Sequence, residues 1–169
     1  MPLSIANAAS TLVAQRVGAG DLRDAHRVGW HGLEMGVAIA AAMGALVYSL
    51  REPLIRLYTH DPVIVGAALP LLAWVAVFHI ADAAQTIAAF VLRAYRQAVA
   101  PLVIYALAIW GVGLGGGYVL AFDLFGIAPA ALRDAIGFWS AATGGLIVAG
   151  TGMTLFLRWM LRQQRTSAA

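Results

Sequence analysis

The residue in this sequence best placed to do chemistry is Asp82, which lies near the middle of Trp74 to Tyr95, an apolar run long enough to cross a bilayer. A charge at the centre of a membrane helix costs on the order of 2.5–3.5 kcal/mol even on lenient insertion scales, so its default reading is a functional one. Helical periodicity puts Phe78, His79 and Gln85 on the same face as Asp82, at spacings of three and four residues. Phe78 offers a ring face to a cation, against the commoner role of a packing aromatic. Gln85 either completes a site with Asp82 or hydrogen-bonds a neighbouring helix. His79 is as suited to a helix neighbour as to a cavity.

The elements that must position this face are themselves apolar. The chain breaks into five apolar segments joined by short charged or proline-bearing connections: a partial span over 2–17, then spans over 28–50, 72–95, 102–122 and 137–161. Each crossing needs about 20 residues. The first segment is short and dotted with Asn7, Ser10, Thr11 and Gln15, so its upstream part is expected to be missing. The Asp61-Pro62 pair signals a helix start, and Pro70 is expected to kink or break the long segment that follows. Two glycine-rich stretches belong to packing. Gly111 to Gly116 matches a dinucleotide-binding pattern but lacks any strand context, and Gly144, Val148 and Gly152 stand at four-residue spacing.

With 62% apolar and 11% charged residues and a mean hydropathy of +0.81, a soluble chain of this size could not cover itself with polar surface. The composition therefore defines an integral membrane protein, and the five apolar segments make it an all-α, polytopic transmembrane bundle. The absence of cysteine excludes disulfides, thiolate metal sites and cysteine nucleophiles, and four scattered histidines suggest no metal site. Neither a basic leader nor a cleavage site follows Met1, so a removable signal peptide is not expected. All the positive charge is arginine. Arg16, Arg23, Arg27, Arg93, Arg96, Arg158, Arg162 and Arg165 fall on one side of the alternating spans, and Arg51, Arg56 and Arg133 on the other. That asymmetry bears on topology rather than nucleic-acid binding, and it places the C-terminus in the cytoplasm. Glu34 and His31, near the cytoplasmic end of their span, suit an interfacial role. Catalysis is not expected: membrane aspartyl proteases need two mid-span acids, and no G-x-S-x-G elbow occurs.

Three stretches carry a family resemblance. PLSIANAASTLVAQRVGAGDLRDA resembles the small-residue helix and G-x-G-D loop in the C-terminal half of NorM-like members of the multidrug and toxic compound extrusion (MATE) family. FHIADAAQTIAAFVLRAYR is similar to that family's tenth helix, and Trp110, Gly111, Gly113, Gly117 and Tyr118 resemble the pattern of the next. Phe78 departs from a frequent tyrosine and Gly115 from a frequent proline. The resemblance implies helices eight to twelve of a twelve-helix exporter in the plasma (inner) membrane, a partial C-terminal lobe whose partner lobe is missing.

It further implies that Asp82, with Gln85 and Phe78, couples Na+ or H+ to the export of cationic drugs, with no other cofactor. Low dielectric favours a carboxylate's protonated form and a nearby cation its charged form, so proton, Na+ and organic cation can compete for one site. The alternatives are a lipid or oligosaccharide flippase of related fold, or an inactive truncated fragment. A flippase cavity is expected to hold more positive charge, and no arginine lies mid-span.

Overall fold

The computed structural model describes residues 2–126 and 128–166; the side chains of 131 and 164–166, and so the Arg165 side chain, lie outside the described residues. Helix α1 (Pro2–Gly18) is joined to α2 (Leu22–Ser49) by a three-residue link in which Gly20 takes φ +79°. Asp21 caps α2, its carboxylate accepting from Asp24 N–H at 3.0 Å, and Asp24 in turn pairs with Arg16 across the link at 2.9 Å. Much of the charged connection read from the sequence is therefore helix that extends beyond the apolar span.

A short helix, α3 (Arg51–Arg56), leads into α4 (Pro62–Ala94). The start of α4 is set as the sequence indicates, with Pro62 at the first position and Asp61 accepting from Val63 N–H at 2.8 Å. Pro70 does not break it: a single helix of 33 residues, about 50 Å long, runs through. An internal proline costs about 3 kcal/mol in one turn, and the packing of the whole helix outweighs that local loss. Its ring crowds the carbonyl of Gly66, beside which a side chain would meet only open space, so the backbone has room to adjust.

Helix α4 is the hub. α1 and α2 pack on one side of it, and on another lies α7 (Asp134–Thr166). Lipid tails are as apolar as leucine, so association here rests on close van der Waals fit, which small residues provide. A Cβ on Gly32 would come 2.7 Å from Ala9 Cβ, and one on Gly44 would come 2.9 Å from the Ala76 carbonyl oxygen. The core this creates contains Val13, Leu33, Ile87, Leu92, Met153 and Leu157.

The remaining crossing is one rod in three parts: α5 (Val99–Ala106), a π-helical stretch (Leu107–Gly115) and α6 (Gly116–Ala121). Four helical stretches, 22–49, 62–94, 99–121 and 134–163, are long and apolar enough to cross a membrane among the described residues, and α1 with 17 residues is shorter. No β-strand occurs among the described residues.

Helix α4 ends in a motif that makes a prediction. Gln97 N–H donates to the Leu92 carbonyl at 3.0 Å and Arg96 N–H to the Arg93 carbonyl at 2.9 Å, the bonding of a Schellman terminus. The residue that must turn left-handed there is Arg96, at φ +62°, where glycine is the usual occupant. Arg96→Gly is expected to raise stability by about 1 kcal/mol, read as a later thermal unfolding midpoint.

Candidate functional site

Asp82 lies 12 residues before the end of α4, about 18 Å along the helix from Ala94 and about 30 Å from Pro62, within a helix long and apolar enough to cross a membrane. Its side chain is half-buried and lines a cavity of about 460 Å³ between α4, the three-part rod and α7. Among the described residues no hydrogen bond or ion pair reaches its carboxylate; the ion pairs are Arg16–Asp24, Arg56–Glu52 and Arg133–Asp123, all outside the cavity. The acid is therefore neither neutralised by an arginine nor tied into the bundle. It faces a hollow.

The rest of the lining is apolar and aromatic. Phe78 lies on the same wall as Asp82, one turn away, and meets Trp139 of α7 edge to face, with ring centroids 5.7 Å apart at 74°. Tyr105 of α5 and Phe138 of α7 complete a set of four aromatics around one acid, with Ile109, Gly113 and Leu114 from the π-helical stretch and Ala142 and Leu146 from α7. A low-dielectric hollow with ring faces and a single carboxylate favours a cation with apolar surface, since ring faces and carboxylate attract the same sign of charge.

Two features hold these walls in place. The first is a glycine contact between α7 and the π-helical stretch, where a Cβ on Gly145 would fall 2.9 Å from the Ala108 carbonyl oxygen and 3.1 Å from Gly113 N. π-Helical insertions concentrate at functional sites because they redirect side chains within a rod, and this one supplies three cavity residues. The second is a clasp in the loop before α7. Arg133 pairs with Asp123 at 2.7 Å and donates through Nε and Nη2 to the Ala128 carbonyl, while Asp123 also accepts from Ala128 N–H at 2.8 Å. It fixes the approach to α7 one turn before Phe138 and Trp139.

Of the residues singled out from the sequence, Asp82 and Phe78 line the cavity together and Gln85 does not. Its position follows from the packing of α7. A Cβ on Gly150 would lie 3.3 Å from Gln85 N and 3.5 Å from Ala84 Cβ, so α7 closes against α4 one turn past Asp82, and Gln85 lies beyond the floor. The Gln85 side-chain carbonyl accepts from the Thr86 hydroxyl at 3.3 Å. His79 is half-buried outside the lining, and Glu34 and His31 are exposed on α2. Trp110 is 71% exposed on the outer surface of the rod, away from the hollow.

Tyr105, Phe138 and Trp139 were not singled out from the sequence. The only sequence signal for them is the aromatic pair Phe138-Trp139 in the first turns of an apolar span. Among the described residues no His, Asp or Glu cluster could hold a metal ion.

A helical bundle of membrane-length elements around an acidic hollow defines a multi-pass membrane protein. A family model described as MatE matches residues 1–119. The chain belongs to the MatE family. It is 39% identical over 157 residues to the probable multidrug resistance protein NorM of Chromobacterium violaceum, covering 93% of this chain and 33% of that protein. To the protein of the same description from Aromatoleum aromaticum it is 35% identical, covering 96% and 34%. The multidrug resistance protein MdtK of Pectobacterium atrosepticum is likewise 35% identical, with 96% and 35% covered. The chain thus spans about a third of the length of these relatives. Its fold matches the crystal structure of the eukaryotic MATE transporter AtDTX14 with a TM-score of 0.80 at 21% identity, over 99% of this chain and 37% of that one.

Proposed function

We propose that this chain is the part of a secondary active multidrug exporter in which Asp82 takes up Na+ or H+ in exchange for a cationic drug. The observation that carries this reading is an unpaired carboxylate on a membrane-length helix, lining a cavity with four aromatic side chains. Phe78 and Trp139 hold the apolar part of the drug, and Asp82 exchanges the drug's charge for that of the coupling ion. Gln85 acts from beneath the floor, where a side-chain rotation could bring its amide toward an ion bound by Asp82. The relatives described as multidrug resistance proteins support the drug as cargo. The family resemblance supports a missing N-terminal lobe closing the other side of the pathway, as expected of repeat-built carriers with alternating access. In this reading the protein acts in the plasma membrane with its C-terminus in the cytoplasm, an orientation that the arginine asymmetry supports.

The cavity lining contains no arginine, which disfavours a flippase, whose cargo carries phosphate. The intact protein is tested in everted membrane vesicles with a lipophilic fluorescent cation in the outside medium. Imposing a Na+ or proton gradient is expected to drive the dye across the membrane at several times the rate seen without the protein. Equal dye movement with and without both gradients contradicts the proposal.

A further inference from the structure

A second cavity, of about 400 Å³, lies between α2 and α7 and is lined by His26, Trp30, Arg158, Leu161 and Arg162. On α7 its first lining residue, Arg158, lies 12 residues and about 18 Å past Leu146, the last α7 residue of the Asp82 cavity, and it differs from that cavity in kind. Arg158 and Arg162 are one helical turn apart, so their guanidiniums share a face, and no Asp or Glu lines the space. Neither arginine makes an ion pair among the described residues. Opposite them, Trp30 donates its indole N–H to His26 Nε2, and the two rings stand edge to face at 71°. Leu161, 6% exposed, gives the cavity an apolar floor.

The depth of this cavity matters as much as its charge. Arg158 and Arg162 lie 24 and 28 residues past the start of α7, about 36 and 42 Å along it and beyond a ~30 Å hydrocarbon core. Trp30 lies in the third turn of α2, a helix about 12 Å longer than that core. Indole rings at this level mark the membrane–water boundary. Two guanidiniums match the oxygens of a phosphate, and the indole face with Leu161 matches the glycerol and first acyl carbons attached to it. Free phosphate shares the first match and gains nothing from the second.

We propose that this cavity binds the headgroup phosphate of an anionic phospholipid, held by Arg158 and Arg162 against Trp30 and Leu161. The intact protein, purified in mild detergent, is titrated with short-chain phosphatidylglycerol, with phosphatidylcholine of equal chain length and with inorganic phosphate, and bound species are counted by native mass spectrometry. Phosphatidylglycerol is expected to bind at least tenfold tighter than phosphatidylcholine.

Replacing both arginines in R158Q/R162Q is expected to weaken phosphatidylglycerol binding by about tenfold or more, since each basic group near an anionic surface contributes about a fivefold effect. R158K/R162K, which keeps the charge, is expected to lose less, and R23Q/R27Q, which removes exposed arginines outside the cavity, is expected to change binding less than threefold. Equal binding of the two lipids by the unaltered protein overturns the proposal. So does an R158Q/R162Q protein that binds phosphatidylglycerol as before, and so does inorganic phosphate displacing phosphatidylglycerol at equal concentration.

Discussion

Asp82→Asn in the intact protein is expected to abolish gradient-driven export of a lipophilic cation, bringing dye movement to the level of vesicles without the protein, while leaving the chain inserted and folded. The two halves of this expectation rest on one fact. The carboxylate has no hydrogen bond or ion pair among the described residues, so an isosteric amide breaks none. Removing an uncompensated charge from the membrane interior is neutral or favourable for stability. An amide cannot exchange a proton or neutralise a cation, so coupling is lost. A thermal unfolding midpoint equal to or above that of the unaltered protein, together with absent export, is the expected pair of results. A protein that is lost from the membrane would mean that Asp82 is structural.

The second large effect separates two adjacent glycines. Gly145→Ala is expected to cost about 1–3 kcal/mol, because its Cβ would meet backbone atoms of Ala108 and Gly113 at 2.9–3.2 Å and backbone cannot turn aside as a side-chain tip can. The strain falls on the contact that seats the π-helical stretch beside the cavity, so cation binding should fall along with the unfolding midpoint. Gly144→Ala is expected to be neutral or stabilising by up to ~1 kcal/mol. Its Cβ would meet only Val112 Cγ1 at 4.0 Å, and alanine is the better helix former. Measuring both midpoints checks the helix register directly: equal effects, or a reversed order, would contradict the packing described here.

Much of this architecture is legible in the sequence because membrane helices announce themselves one at a time. The Asp61-Pro62 start, the apolar runs and the isolated acid are local features, and each is found in the fold. What depends on two helices meeting is not legible. The spacing of Gly144, Val148 and Gly152 suggests a packing face, and Gly152 does pack on the rod, where a Cβ would meet Ile104 Cγ2 at 3.1 Å; the contact with rod backbone, however, belongs to Gly145, one residue and 100° around the helix from Gly144, because only the approach of Ala108 and Gly113 selects it.

Pro70 is read from its own chemistry as a kink or a break, and the helix runs on through it because tertiary contacts along 33 residues override one weakened turn. Within the candidate site the same limit applies. Periodicity on α4 alone groups Phe78, Asp82 and Gln85, and it takes Gly150 of α7 to set the floor between Asp82 and Gln85. Tyr105, Phe138 and Trp139 come from other helices, and no single-helix pattern points to them.

The central claim is that one carboxylate is shared by turns between the coupling ion and the cargo. Its most direct test is equilibrium binding of tetraphenylphosphonium to the purified intact protein, measured across pH and Na+ concentration for the unaltered chain and for Asp82→Asn. The unaltered protein should bind the cation more weakly as either proton or Na+ rises, and the variant should bind weakly with no dependence on either. Binding by the variant that is as tight as that of the unaltered protein, and equally sensitive to proton or Na+, would contradict the claim.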